Sequence, residues 1–159
     1  MSEAGPLHVV LFEPEIPPNT GNIIRLCANA GASLHLVEPL GFELDAPKLK
    51  RAGLDYHEFA AVRVYPTLND CLVTLQPGRV WAFSTHGQRP HTEAAYRKGD
   101  VLLFGPETRG LPTSVLETIP KTQRLRIPLR AGNRSLNLSN AVAIAVYEAW
   151  RQMEFEGAG

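Results

Sequence analysis

Short apolar, β-branched runs recur along this chain at Leu7–Phe12, Ser33–Val37, Arg63–Tyr65, Val80–Ser84, Val101–Phe104 and Arg124–Leu129. Helical patterns fill most of the gaps between them, at Thr20–Ala30, Ala46–Ala52, Leu68–Leu75, Thr92–Arg97, Thr113–Thr118 and Asn140–Met153. A strand followed by a helix followed by another strand favours a crossover connection. The pattern therefore predicts an α/β fold whose mostly parallel sheet carries helices on both faces. Ser114 and Glu117 have the spacing of a capping box for the fifth helix. At 159 residues the chain makes one domain, residues 1–159, too short for a catalytic domain plus a separate binding module. There is no internal repeat, low-complexity segment or linker.

In an open parallel sheet, ligands gather where the strands end, so the loops after Ser84, Phe104 and Leu129 are the places to look. The second of these is Gly105-Pro106-Glu107-Thr108-Arg109-Gly110-Leu111-Pro112. Glycine there removes the Cβ that would keep a ligand from the backbone, and proline lowers the entropy lost on binding. On this reading a valine at Gly105 fills the crevice and spares the fold. The third loop leads into Ser135-Leu136-Asn137-Leu138-Ser139-Asn140. Ser139 or Asn140 can cap the helix that follows, leaving further N–H groups for a ligand. A Rossmann-type site would put glycines directly after the first strand, yet Glu13-Pro14-Glu15-Ile16-Pro17-Pro18 stands there.

Near the amino terminus, Pro17-Pro18-Asn19-Thr20-Gly21-Asn22 opens a helix that stops at Gly31. Asn19, Asn22, Arg25 and Asn29 are spaced by three and four and share one face, while Ile23, Ile24, Cys27 and Ala28 can turn toward a core. Solvated helix faces usually carry Glu and Lys rather than three asparagines, so this face points to a function.

The formal charge is zero, which argues against a generic polyanion binder, but the charge is unevenly spread. No acidic residue lies between Thr118 and Tyr147, where Lys121, Arg124, Arg126, Arg130 and Arg134 occur, and Lys48, Lys50 and Arg51 form a second cluster. Cys27 and Cys71 stand far apart with no metal-ligand spacing, so neither a metal site nor a disulfide is expected. Of five scattered histidines only His86 falls at a strand end. With no charged-then-apolar leader and no apolar run of membrane-spanning length, the expected compartment is the cytoplasm. The last helix is apolar nearly all round from Ala141 to Tyr147, then at Trp150 and Met153. One sheet face cannot cover so much apolar surface, and a twofold dimer seam is the simplest second cover.

Taken together, the Asn19-to-Arg25 segment, the Gly105-to-Pro112 loop and the Ser135-to-Asn140 segment resemble the three motifs of the SPOUT superfamily of RNA methyltransferases. Leu11–Asn22 and Arg51-Ala52-Gly53-Leu54-Asp55-Tyr56-His57 are similar to its small branch that methylates the wobble ribose of certain tRNAs. The resemblance implies a carboxyl-terminal trefoil knot, which general connection rules would advise against. It also implies a homodimer with each active site at the seam. The cofactor would be S-adenosyl-L-methionine and the substrate the wobble nucleotide, a cytidine or modified uridine in the anticodon stem-loop of leucine-type tRNAs.

By the same resemblance, Arg25 and Asn19 are the catalytic candidates. Phe83, Gly105, Glu107, Ile127, Ser135 and Asn137 are the cofactor-binding ones. Phe83 and Ile127 lack polar side-chain atoms and would contribute main-chain bonds and apolar walls. A guanidinium is a poor proton acceptor, so orienting the hydroxyl or a nearby phosphate is at least as good a role for Arg25 as that of a base. Two other readings stand beside this one: a related enzyme with a different tRNA or rRNA target, and a non-catalytic RNA-binding protein of the same fold.

Overall fold

The computed structural model describes residues 7–44 and 61–159. The expected helix at Ala46–Ala52, the run Arg51–His57 and the cluster Lys48, Lys50 and Arg51 lie outside the described residues. Seven strands among the described ones form a single sheet in which every pairing is parallel. They are β1 (His8–Phe12), β2 (Ser33–Val37), β3 (Arg63–Tyr65), β4 (Val80–Phe83), β5 (Arg89–Pro90), β6 (Val101–Phe104) and β7 (Arg124–Arg126). Their order is β3-β2-β1-β6-β4-β7-β5, with β6 at the centre and buried at all four positions.

Strand alternation splits the core in two. Val9, Leu11, Leu34, Leu36, Leu102 and Phe104 face one side. There they meet Ile23, Ile24 and Cys27 of helix α1 (Pro17–Ala30) and Val142, Ala145, Val146 and Ala149 of α4 (Leu138–Gln152). Val10, Val37, Ala82, Val101 and Leu103 face the other, against Cys71 of α2 (Leu68–Leu75) and Leu116 of α3 (Thr113–Leu116). Helices therefore cover both faces, as the alternating pattern predicts. Ala28, expected in the core, is exposed, because the buried stripe of α1 runs through Ile23, Ile24, Cys27 and Ala30.

Local chemistry sets the helix ends. α1 begins on two prolines, whose missing N–H groups would be unpaired in a first turn anyway, and stops at Gly31 with φ 76°. Thr67 caps α2 by accepting from the Asp70 N–H at 3.0 Å. The expected helix over Thr92–Arg97 is only a 3₁₀ turn at His91–Glu93. Its amides are taken elsewhere: Tyr96 N–H donates to Gln152 Oε1 at 3.0 Å and Arg97 N–H to Asp100 Oδ2 at 2.9 Å. The capping box at Ser114 and Glu117 does not form, since Pro112 precedes α3 and Ser114 lies inside a helix of four residues. β7 ends earlier than expected because Pro128 has no N–H to offer a ladder. The short edge strand β5 was not legible in a two-residue run.

A hydrogen-bonded row crosses the first three strands: His8 Nδ1 lies 3.1 Å from His35 Nε2, and His35 Nδ1 lies 3.0 Å from the Tyr65 hydroxyl. Burial pushes His35 down from 6.5 to about 4, with further lowering from His8 and Arg63. Well above pH 6.5 the ring is neutral in both folded and unfolded chains, and it contributes no pH dependence. As the pH falls from there toward 4, the unfolded chain takes up a proton that the folded one refuses. Stability is therefore expected to drop by about 2–3 kcal/mol across that window. Urea denaturation at either end checks this, and a His35→Phe variant should show a shallower dependence.

Candidate active site

Because every strand runs the same way, the carboxyl ends of β4, β6 and β7 open along one edge of the sheet. A cleft of about 720 Å³ lies there. Its walls come from the three expected loops: Phe83 to His86, the Gly105–Thr113 turn, and a carboxyl-terminal stretch that includes Arg126, Ile127, Arg134 and Ser135. The structure thus brings together five of the six expected cofactor residues: Phe83, Gly105, Glu107, Ile127 and Ser135. Phe83 stacks on Phe104 with ring centroids 4.6 Å apart, which fixes one apolar wall. Gly105 sits where its loop folds back on itself, and a Cβ there would collide with the backbone of Gly110 and Leu111. That overturns the expectation that valine at Gly105 spares the fold, because the obstruction falls inside the loop.

Glu107 lines the cleft, yet its carboxylate is turned to the amino-terminal motif. It accepts from the N–H groups of Glu15 at 2.7 Å and Ile16 at 2.8 Å and from Asn19 Nδ2 at 3.3 Å. Asn19 is 7% exposed and does not cap α1; its amide oxygen accepts from Asn137 Nδ2 at 3.1 Å. Asn137 in turn is the cap of α4, its side-chain oxygen accepting from Ser139 N–H at 2.9 Å and Asn140 N–H at 3.4 Å. The cap expected at Ser139 or Asn140 is thus displaced to Asn137. The three residues form one relay from the cleft loop through α1 to the start of α4.

Arg25 lies on the exposed face of α1 and is not among the residues lining the cleft of its own chain. Sequence reasoning missed Thr108, Arg109 and Glu15, which bind one another across the loop and the entry to α1. Their only local signal was the charged turn itself. It also placed Arg126 and Arg134 merely in a basic run, whereas both stand exposed at the cleft wall. His86 lines the cleft beside Ser84, whose hydroxyl accepts the His86 N–H at 3.0 Å.

The cleft suits an organic ligand with a flat apolar part and several polar groups, since Phe83, Ile127 and Leu129 supply walls while loop backbone, Ser84 and Ser135 supply polar atoms. Among the described residues no cluster of His, Cys, Asp and Glu has the makings of a metal site. Burial pushes the free thiols Cys27 and Cys71 up to about 12, which leaves both unreactive as nucleophiles.

Comparison with known proteins gives a match to the SpoU rRNA Methylase family over residues 6–147. A tRNA (cytidine(34)-2'-O)-methyltransferase of Aeromonas hydrophila is 57% identical over 151 residues, covering 95% of this chain and 97% of that protein. The Escherichia coli K12 protein of the same name is 55% identical, with 96% and 97% covered. A solved structure concerned with the 2-OH methylation of C/U34 on tRNA superposes with a TM-score of 0.85 at 51% identity, covering 93% of this chain and 96% of that one. An AdoMet-bound rRNA methyltransferase from Sinorhizobium meliloti superposes at 0.78 and 28% identity, covering 95% of this chain and 58% of the other.

Proposed function

The chain belongs to the SpoU rRNA methylase family, and from that premise we propose that it is a tRNA 2'-O-methyltransferase acting on the ribose of the wobble nucleotide, cytidine or uridine. The observation that carries this reading is the convergence of three strand-end loops on one cleft in a chain so close to enzymes of that name over nearly its whole length. S-adenosyl-L-methionine is the methyl donor, and when bound it supplies a methyl group already activated on a sulfonium. The residues that would hold it are Phe83, Gly105, Ile127 and Ser135, with Glu107 and Asn137 shaping the cleft through the relay to Asn19.

The protein's share of the chemistry is then alignment of the ribose hydroxyl and management of its proton. Arg25 suits that role, because its planar fork can hold a hydroxyl or the adjoining phosphate in a fixed direction. Asn19 holds the first turn of α1 in place. The exposed guanidinium groups of Arg126 and Arg134 at the cleft wall give tRNA phosphates a landing point despite a net charge of zero. We take residues 1–159 as a single catalytic domain working in the cytoplasm. No helix among the described residues is long and apolar enough to cross a membrane.

Two further parts of this reading concern assembly. A carboxyl-terminal trefoil knot is the first part, and it rests on the family resemblance. Ile144 and Tyr147 on α4 remain 39% and 41% exposed, and Arg25 is not among the residues lining its own cleft. Both favour a homodimer in which one copy presents Arg25 to the cleft of the other. Ile144→Glu together with Tyr147→Glu is expected to give monomers or aggregates in sedimentation and to lose tRNA methylation. A stable monomer of the unaltered protein at micromolar concentration overturns the dimer.

The test of the function itself is incubation with labelled S-adenosyl-L-methionine and total tRNA, followed by nucleoside mapping. Label in 2'-O-methylcytidine or a 2'-O-methyluridine at the wobble position of leucine-type tRNAs is the expected result. Label at another nucleotide reassigns the target, and no label in any RNA removes the activity.

A further inference from the structure

Two carboxylates pass between the entry to α1 and the cleft loop in opposite directions. Glu107, on the loop, accepts from the backbone of Glu15 and Ile16. Glu15, ahead of the helix, reaches the other way: its Oε1 accepts from Thr108 N–H at 2.9 Å and from the Thr108 hydroxyl at 2.7 Å. Each acid thus binds the chain beside the other, closing a ring between residues 13–16 and 107–109. Arg109 extends it, with Nη2 3.3 Å from Glu13 Oε1 and Nε 3.9 Å from Glu15 Oε2. The Thr108 backbone bond, followed by the Thr108 hydroxyl bond, holds the Glu15 carboxyl below its ordinary range.

Thr108 and Arg109 are exposed, so this clasp buries little apolar surface, and exposed ion pairs contribute little to stability. What it does supply is direction. Short bonds to an ionised acceptor fix two chain segments at a set spacing and angle. One segment begins the helix that, in the dimer proposed above, presents Arg25 to the other copy's cleft; the other forms the wall of this chain's own cleft, so the clasp ties the two sites of the dimer to each other. From Thr20 onward α1 is anchored by burial; its entry is held by the ring, by Asn19 and by backbone bonds from Glu13 N–H to the Val37 carbonyl at 3.0 Å and from Gly41 N–H to the Pro14 carbonyl at 2.9 Å.

We propose that Glu15 is a positioning residue for methyl transfer: through Thr108 it fixes the cleft loop relative to the entry of α1. The proposal rests on the methyltransferase reading above. Misplacement by about an ångström can lower a rate by as much as a hundredfold without removing any reacting group.

The test compares Glu15→Ala, Glu15→Gln and Thr108→Val with the unaltered full chain. Glu15→Ala is expected to lower kcat by about tenfold or more, with KM for tRNA and the dissociation constant for S-adenosylhomocysteine within about threefold. Glutamine keeps an amide oxygen for both Thr108 donors and should restore most of the rate. Thr108→Val should fall between, and the Glu15→Ala/Thr108→Val pair should be no worse than Glu15→Ala alone. In the cofactor-free protein, amide hydrogen exchange at Thr108–Gly110 should quicken in Glu15→Ala and not in Glu15→Gln. A parallel fall of thermal midpoint and cofactor affinity with no selective loss of kcat overturns the proposal, as does an active enzyme indifferent to Glu15→Ala. An unaltered protein that methylates no tRNA overturns the underlying reading, and the proposal with it.

Discussion

Arg25→Ala is expected to abolish methyl transfer to tRNA, a loss of about a thousandfold or more, while S-adenosylhomocysteine binds nearly as before. The separation follows from geometry: the cleft is walled by loops after β4, β6 and β7, and Arg25 lies on α1 outside that lining. Arg25→Lys should rescue little, because an ammonium keeps the charge and loses the planar fork. Single-turnover methylation beside a separate cofactor titration reads both quantities. Near-normal turnover in the alanine variant would remove Arg25 from the catalytic machinery.

The second large effect belongs to Gly105. Here Gly105→Val is expected to cost about 1–3 kcal/mol of stability and to weaken S-adenosylhomocysteine binding by about a hundredfold or more. A Cβ at this position meets the backbone of Gly110 and Leu111, and backbone cannot swing aside as a flexible side chain can. Gly105→Ala should already show most of both losses, since the first added carbon makes the collision. Calorimetric titration and thermal unfolding check the pair. Full cofactor affinity in the alanine variant would mean that the loop does not need its present close turn.

The two effects also mark what could be read from residues and what could not. The parallel sheet was legible because its central strands are near-continuous apolar runs, as strands buried on both faces must be. β5 was not, because two residues carry no periodicity and only the pairing of Arg89 and Pro90 with β7 makes them a strand. Thr92–Arg97 has a helical pattern, but its donors are claimed by Gln152 and Asp100, and no local rule anticipates partners from elsewhere in the chain. The site behaves likewise. The loops bearing Phe83, Gly105 and Ser135 were expected at the sheet edge and are found there. The direction of Glu107 was hidden, since its partners lie 88 to 92 positions away. Asn137, Ser139 and Asn140 are all good caps, and sequence alone leaves the choice among them open; the bond from Asn137 to Asn19 distinguishes it.

The position of β6 sets an order in time. β1 leaves the ribosome first but sits between β2 and β6, and its second neighbour is made only once residues 101–104 have emerged. α1 waits longer still, because it packs on α4 at the other end of the chain, and Asn19 meets Asn137 across 118 positions. Contacts so distant in sequence are slow to form, and the growing chain must carry an uncovered α1 face through most of its synthesis. A ribosome stalled before residue 138 therefore holds a chain that has every described strand and every proposed site residue from Asn19 to Asn137, but not the helix on which α1 packs. The helix that carries Arg25 thus gains its cover only with α4, and a product truncated before residue 138 is expected to methylate no tRNA.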